Sequence, residues 1–560
     1  MNEQERKDPR LDKGKIDLVR DELRTLVEYL EERANLSVAQ VAYSIDGRTF
    51  NYEAPLTLSI PVGSYVHLTI DTGEEYLGQI ITKDIIQSEG AEISYDIDEK
   101  YQSALPEGLK NAGTRGRLHL RSLAGSGVLL ARIVDQAFED TSNTDAFRSA
   151  TILLADSTLV DRFLADTGRK RAALPVGKAL YIEGEASVQL DAGGFNRHTF
   201  LCGQSGSGKT FSLGIVLEQI LLETELRIVI IDPNSDFVHL NRLRSLDEIN
   251  RFRSRPFSPD EYAQLAERFQ QTVADLRVFR PNSLLDHSDH ALRVRFSDLS
   301  QPEQGTVLEL DPLEDREEYN AFWKIVERFG RQDYSWEEVR QAIGDDYTSA
   351  VRLLGLRIAN LRVAEWEVWC SPGEPSLIDT LESDDWRCLV LDIGTLGTSV
   401  EKSVITNAVL NYFWRQRNQH QPTLIVVDEA HNICPQEPAD AMQAISTEQM
   451  IRIAGEGRKF GLYLLLATQR PSKIHSNILS QCDNLMLMRM NSTADVTHLA
   501  GVLSHIPASL MEQATKFGLG ESLLAGRIVK NPVFAKFEGR LSEEGGSDIP
   551  TTWATPGDKD

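Results

Sequence analysis

The sequence predicts an α/β protein: a mainly parallel sheet between helices, with a small β-barrel before it and a helical insertion within it. Three observations predict this. Arg227-Ile-Val-Ile-Ile231, Cys388-Leu-Val-Leu391, Thr423-Leu-Ile-Val-Val427, Leu462-Tyr-Leu-Leu-Leu466 and Asn484-Leu-Met-Leu-Met488 are near-continuously apolar. Strands buried on both faces of a parallel sheet read this way, whereas strands with one wet face alternate. Residues 203–210 read Gly-Gln-Ser-Gly-Ser-Gly-Lys-Thr, between the apolar run His198-Thr-Phe-Leu-Cys202 and an apolar-rich segment from Phe211 to Leu221. That is a strand, a glycine loop and a helix in order. Between residues 36 and 135 the text is instead short and β-prone, as befits a small barrel.

The chain has 560 residues, too many for one ordinary core, so two or three domains are expected. With 41% hydrophobic and 26% charged residues it reads as soluble and globular, and a formal net charge of −25 argues against non-specific coating of polyanions. No run approaches the ~20 apolar residues of a membrane span, and Met-Asn-Glu-Gln-Glu-Arg-Lys is not a signal peptide. A cytoplasmic protein with no membrane partner is expected. Its five cysteines are scattered without a C-x-x-C pair, which favours buried reduced thiols over zinc or disulfides.

Residues 1–35 carry Ile16, Val19, Leu23, Leu26, Val27 and Leu30 at helical spacing. Such an amphipathic helix docks on a partner, on its own domain or on a neighbouring subunit. Residues 36–190 are expected to hold the barrel and a helical connection. Val41–Ile45, Tyr65–Ile70, Tyr76–Ile81 and Val128–Val134 read as strands, Asp46-Gly47 and Gly125-Ser-Gly127 as punctuation, residues 142–170 as helical and Ala179–Gly184 as a further β segment. Residues 191–540 form the α/β domain, with a helix-rich insertion at about 240–385. Residues 541–560, rich in Gly, Pro, Ser and acids, read as a disordered tail.

The pattern G-x-x-x-x-G-K-[ST] has a mechanism. Gly203, Gln204, Ser205, Gly206, Ser207 and Gly208 let successive backbone N–H groups turn inward around a phosphate. Lys209 adds a mobile positive charge for the β- and γ-phosphates, and Thr210 a hydroxyl for Mg²⁺. The run Thr423–Val427 ends in Asp428 and Glu429. Asp428 is placed to hold Mg²⁺ opposite Thr210, and Glu429 to polarise the water that attacks the γ-phosphate. Gln469 ends the run Leu464-Leu-Leu-Ala-Thr468. If that strand lies between those bearing the loop and the acids, Gln469 faces the γ-phosphate and reports nucleotide state to Pro471–His475. Asp232 and Asp392 end strands on the same rim, in a supporting or a structural role.

Asn196-Arg-His198, Gly203 to Thr210, Ile231-Asp-Pro-Asn-Ser-Asp-Phe237, Val427-Asp-Glu-Ala-His431, Glu456-Gly-Arg-Lys-Phe-Gly461 and Ala467-Thr-Gln-Arg470 together resemble the HerA branch of the HerA–FtsK family. The resemblance covers most of residues 36–540. It implies a RecA-like P-loop ATPase core that assembles as a homo-hexamer, uses ATP and Mg²⁺, and pumps double-stranded DNA. It also makes Arg197 and Arg458 candidates to reach across a subunit boundary, although each taken alone reads as a surface or ion-paired residue. Asp-Pro-Asn-Ser-Asp-Phe departs from the family's usual His-Gly-Glu-Tyr continuation after Asp-Pro.

Two functions are compatible with this reading. One is a DNA translocase or helicase working with a NurA-like nuclease or another defence effector, in end processing or antiviral defence. The other is an ATP-binding ring that assembles and activates a protein effector without moving on DNA. Lys402, Arg415, Arg417, Arg452 and Lys473 are available for phosphate contacts, but no basic run stands out.

Overall fold

Alternation of buried and exposed side chains builds the first sheet. The computed structural model describes residues 25, 40–94, 115–141, 144–165, 172–286, 289–330, 332–344 and 348–546. The helical segment expected over residues 1–35 therefore lies outside the described residues but for Thr25. Eight antiparallel strands follow: β1 (Val41–Ser44), β2 (Thr49–Pro55), β3 (Tyr65–Ile70), β4 (Glu75–Ile80), β5 (Asp84–Ser94), β6 (Arg115–Val134), β7 (Ala137–Glu139) and β8 (Phe147–Leu154). Their order β2-β1-β8-β3-β4-β6, with β6 pairing back onto β2, closes a six-stranded barrel, and β5 and β7 extend β6. Phe50, Tyr52, Val66, Leu68 and Ile152 fill it.

Two expectations fail in this unit. Gly125 and Gly127 lie inside β6 rather than at a turn, because a Cβ at Gly127 would stand 2.2 Å from the Phe50 ring. Small residues in a strand interior mark such close approaches. Residues 142–170 are not uniformly helical: β8 precedes the helix Ser157–Ala165. Polar Arg148, Ser149 and Thr151 dilute its apolar signal, yet Phe147, Ala150 and Ile152 face the barrel core.

The chain divides into two compact units, Met1–Phe163 with Tyr181–Gly184 and Leu164–Leu180 with Glu185–Asp560. The second unit is built on one sheet of twelve strands: β9 (Ala173–Ala179), β10 (Ser187–Asp191), β11 (His198–Cys202), β12 (Arg227–Asp232), β13 (Leu276–Arg280), β14 (His290–Ala291), β15 (Cys388–Asp392), β16 (Thr423–Val427), β17 (Leu462–Thr468), β18 (Cys482–Met488), β19 (Glu521–Ala525) and β20 (Val533–Phe537). Their spatial order is β10-β9-β20-β19-β18-β11-β17-β16-β12-β15-β13-β14. From β18 to β14 all neighbours are parallel, and the other end is antiparallel. The β segment expected over Ala179–Gly184 is mostly the connection between β9 and β10; β9 precedes and β10 runs across the boundary expected at residue 190, yet both join this sheet. Strands β11, β15 and β16 are buried at every position, which explains their unbroken apolar text.

The insertion over 240–385 is helix-rich, as expected, but β13 interrupts it and adds a parallel strand beside β15. Its five residues include two arginines, which ion-pair with acids at both ends of β15: Arg277 with Asp385 at 2.7 Å and Arg280 with Asp392 at 3.1 Å. Beyond it, Phe296 packs with its ring centroid 5.1 Å from Trp336 and 5.5 Å from Trp369, forming the insertion's own aromatic core. No helix among the described residues is long and apolar enough to cross a membrane.

The tail expected to be disordered over 541–560 begins instead as a packed strap, and residues 547–560 lie outside the described residues. Glu218, wholly buried on the helix Lys209–Glu223, accepts hydrogen bonds from the Leu541 and Ser542 backbone N–H groups, both at 2.8 Å. Arg540 is fully buried beside it and fits because position 214 is glycine; a Cβ there would stand 2.5 Å from Arg540 Nε. Composition alone could not foresee a partner 323 residues away.

Candidate active site

Parallel strands present their C-terminal ends on one rim, and that is where the sequence motifs converge. The loop Gly203–Gly208 leaves β11, and Gly206 (φ 70°) and Gly208 (φ 92°) adopt left-handed conformations that suit glycine. Gly208 caps the helix Lys209–Glu223, whose N-terminal N–H groups face the loop. Arg489, just past β18, fixes the loop from outside. Its guanidinium donates to the Gly206 carbonyl at 2.8 Å, and its carbonyl accepts from the Gln204 N–H at 3.1 Å. Gly520 N–H donates to the Ser207 carbonyl at 3.0 Å, bringing the β19–β20 hairpin alongside.

Strand β17 does lie between β11 and β16, so Lys209, Gln469 and the Asp428–Glu429 pair follow three adjacent strands. Lys209 Nζ donates to Asp428 Oδ1 at 2.5 Å and to Glu429 Oε1 at 2.9 Å. Gln469 Nε2 donates to the same Glu429 oxygen at 2.7 Å, and His431 Nδ1 lies 3.2 Å from Oε2 and 3.0 Å from Thr468 Oγ1. Glu429 has φ 43° and ψ 48°, a left-handed backbone that costs a non-glycine residue about 1 kcal/mol or more. Its carbonyl accepting from Asn432 N–H at 2.8 Å helps to hold that turn. The strain sits on the residue the sequence nominates to position water.

Electrostatics follow the geometry. Burial disfavours a charged Lys209, but the two carboxylates outweigh it and raise the lysine above its ordinary value. Burial likewise opposes ionised Glu429, yet the bonds from His431, Lys209 and Gln469 pull it down to about 2. Asp232 is pushed up to about 7, first by burial, despite accepting from the Asn234 and Phe237 N–H groups at 3.1 and 2.8 Å. Asp392 serves the fold, accepting from Ser235 Oγ at 2.8 Å and from Arg280 Nε at 3.1 Å.

Two candidates are not brought to this rim. Arg197 precedes β11 and Arg458 precedes β17, so both stand at the opposite end of strands five and seven residues long. At about 3.3 Å per residue, neither reaches the loop of its own chain. They converge on Asp483 Oδ2 instead, Arg197 Nε at 3.2 Å and Arg458 Nη1 at 2.8 Å. Among the basic residues considered for DNA, Lys402 donates to the Gly394 carbonyl, and Arg417 and Arg452 sit over the Trp414 ring at 4.6 and 5.6 Å.

Sequence reasoning assigned no role to Asp236, whose Oδ2 accepts from Thr210 Oγ1 at 3.3 Å, nor to His431, Arg489 or Arg540. Asp236 could have been found: it lies four residues beyond the strand-ending Asp232, on the same rim. The residues also fit a magnesium ion. Asp428 Oδ2 is buried with no hydrogen-bond partner, and the Thr210 hydroxyl and both acids offer hard oxygens. No ready-made group of three His, Cys, Asp or Glu ligands occurs among the described residues, which suits an ion that takes most ligands from phosphates and water.

Residues 174–352 match the family model for the central domain of helicase HerA. The chain is 23% identical over 386 residues to the DNA double-strand break repair helicase HerA of Sulfurisphaera tokodaii, covering 67% of this chain and 70% of that one. For the helicase of the same name from Pyrococcus furiosus, identity is 24% over 415 residues, covering 66% and 72%. A probable helicase of Methanocaldococcus jannaschii is 31% identical over 153 residues, 27% of this chain and 28% of its own. With the phosphate loop, the paired acids and the intervening glutamine strand in this order, the chain is a P-loop ATPase that is similar, through its central domain, to the HerA helicases.

Proposed function

We propose that this protein is an ATP-driven translocase or helicase on double-stranded DNA, cytoplasmic, working as a hexameric ring with a nuclease or other effector partner. The observation that carries the reading is the buried cluster of Lys209, Asp428, Glu429 and Gln469 at the tips of three adjacent parallel strands. Phosphoryl transfer passes through a loose transition state, so the protein's work is positioning and charge stabilisation. Lys209 exchanges its two carboxylates for the β- and γ-phosphates. Glu429 thereby loses a cation at 2.9 Å and becomes more basic as substrate arrives, which suits it to orient water. Gln469, bonded to Glu429, links the γ-phosphate to Pro471–His475. Thr210 and Asp428 would hold Mg²⁺, which neutralises charge on the phosphate oxygens.

Arg197 and Arg458 are each about one-third exposed and out of reach of their own loop, which supports a role on a neighbouring subunit's phosphates. The test is the ATPase rate with and without long duplex DNA. A motor is stimulated by DNA. A rate indifferent to DNA but raised by a protein partner would replace this reading with the effector-activating ring.

A further inference from the structure

We infer that Asp236 is a positioning residue of the nucleotide site, holding the Thr210 hydroxyl in the orientation in which it would serve a magnesium ion. The inference rests on the assignment of the phosphate site above and adds a third carboxylate to it.

Four observations support this. First, the Asp236 carboxylate accepts from the Thr210 hydroxyl at 3.3 Å, and Thr210 is the residue whose hydroxyl would face the ion. Second, the loop that carries Asp236 is fixed more firmly than a connecting turn needs. Asp232 Oδ2 accepts from Phe237 N–H at 2.8 Å, and Ser235, at φ 61°, is held in a left-handed conformation with its hydroxyl on Asp392. A non-glycine residue persists there only where its surroundings over-determine it. Third, the strap closes over the loop. Gly545 N–H donates to the Asp236 carbonyl at 3.0 Å, and Arg540 Nη1 donates to the Thr210 carbonyl at 3.1 Å. One segment thus grips both partners of the Thr210–Asp236 bond. Fourth, Asp428 Oδ2 is buried with no hydrogen-bond partner, so on the same rim it is free to ligate a cation.

The charged groups that act most strongly on Asp236, namely Asp428, Lys209 and Arg540, and Asp232 on its own loop all belong to this arrangement. An acid that served only to anchor the loop would not need its side chain on Thr210, since its carbonyl already bonds the strap.

The experiment reads magnesium dependence of binding rather than turnover. Full-length protein is titrated with a fluorescent ATP analogue at rising Mg²⁺, with melting curves for every variant. Asp236→Asn should need about tenfold more Mg²⁺ for half-maximal binding while keeping its affinity for the analogue in EDTA. Asp236→Glu, which retains the charge, should recover most of the shift. An unchanged Mg²⁺ midpoint in an Asp236→Asn protein that melts like the parent overturns the assignment of Asp236 alone. Absence of analogue binding by the parent, with or without Mg²⁺, overturns the phosphate site; parent binding that is indifferent to Mg²⁺ overturns this inference alone.

Discussion

Glu429 gathers three polar neighbours on a strained backbone, and each sets a different property of its carboxylate. Lys209 neutralises it until phosphate competes, Gln469 ties it to the next strand, and His431 lies 3.2 Å from its second oxygen. Lys209→Ala should abolish tight ATP binding. Glu429→Gln should bind ATP and lose turnover by about 10²-fold or more, seen by equilibrium binding beside steady-state hydrolysis. Normal turnover in the second variant removes Glu429 as the water-positioning group. The proton dependence has a definite sign. A carboxylate held down at about 2 stabilises the fold above its ordinary value of 4.5, and that contribution drains away as pH falls from 4.5 toward about 2. His431→Ala removes one cause of the depression. Denaturation midpoints of parent and variant should therefore differ at pH 6 and converge as pH is lowered through 4 toward 3. A constant gap would show that His431 acts by packing alone.

Among the elements, the helix Lys209–Glu223 shows how packing overrules local preference. Glycine in a helix interior costs about 1 kcal/mol relative to alanine, so Gly214→Ala ought to stabilise an isolated helix. Here the added methyl meets Arg540 Nε at 2.5 Å, and that arginine is fully buried beside Glu218. Overpacking of this kind costs about 1–3 kcal/mol, so Gly214→Ala should lower the thermal midpoint; a higher midpoint would mean that Arg540 moves freely. Legibility in the sequence followed the same division. Strands β11, β12, β15, β16, β17 and β18 were readable because burial on both faces leaves an unbroken apolar text. Strand β8 was not, since its solvent-facing positions are polar, nor was β13, whose arginines belong to ion pairs with distant acids. In the site, Lys209, Thr210, Asp428, Glu429 and Gln469 were legible because their motifs are contiguous. Asp236 was hidden in a run of turn-forming residues, and its meaning depends on Thr210, 26 positions earlier.

At the scale of the whole molecule, the two arginines carry the argument for assembly. Arg197 and Arg458 share Asp483 at the end of the sheet remote from the phosphate loop, so a solitary chain cannot apply either of them to its own nucleotide. If they act on a neighbour, Arg197→Ala and Arg458→Ala should each lower turnover by about 10³-fold with little loss of ATP binding. Mixing either with Glu429→Gln should change activity non-proportionally in subunit-exchange assays. Strictly additive loss counts against a shared site, and electron microscopy with and without ATP would show ring formation directly.

The depth at which Arg540 is seated has a practical consequence for anyone shortening this gene. A stop codon placed after Gly546 spares every bond described for the strap. Moving the stop ahead of Gly539 would strand the Glu218 carboxylate in an apolar wall and open a notch above Gly214, so that product should accumulate in inclusion bodies or fall to proteases.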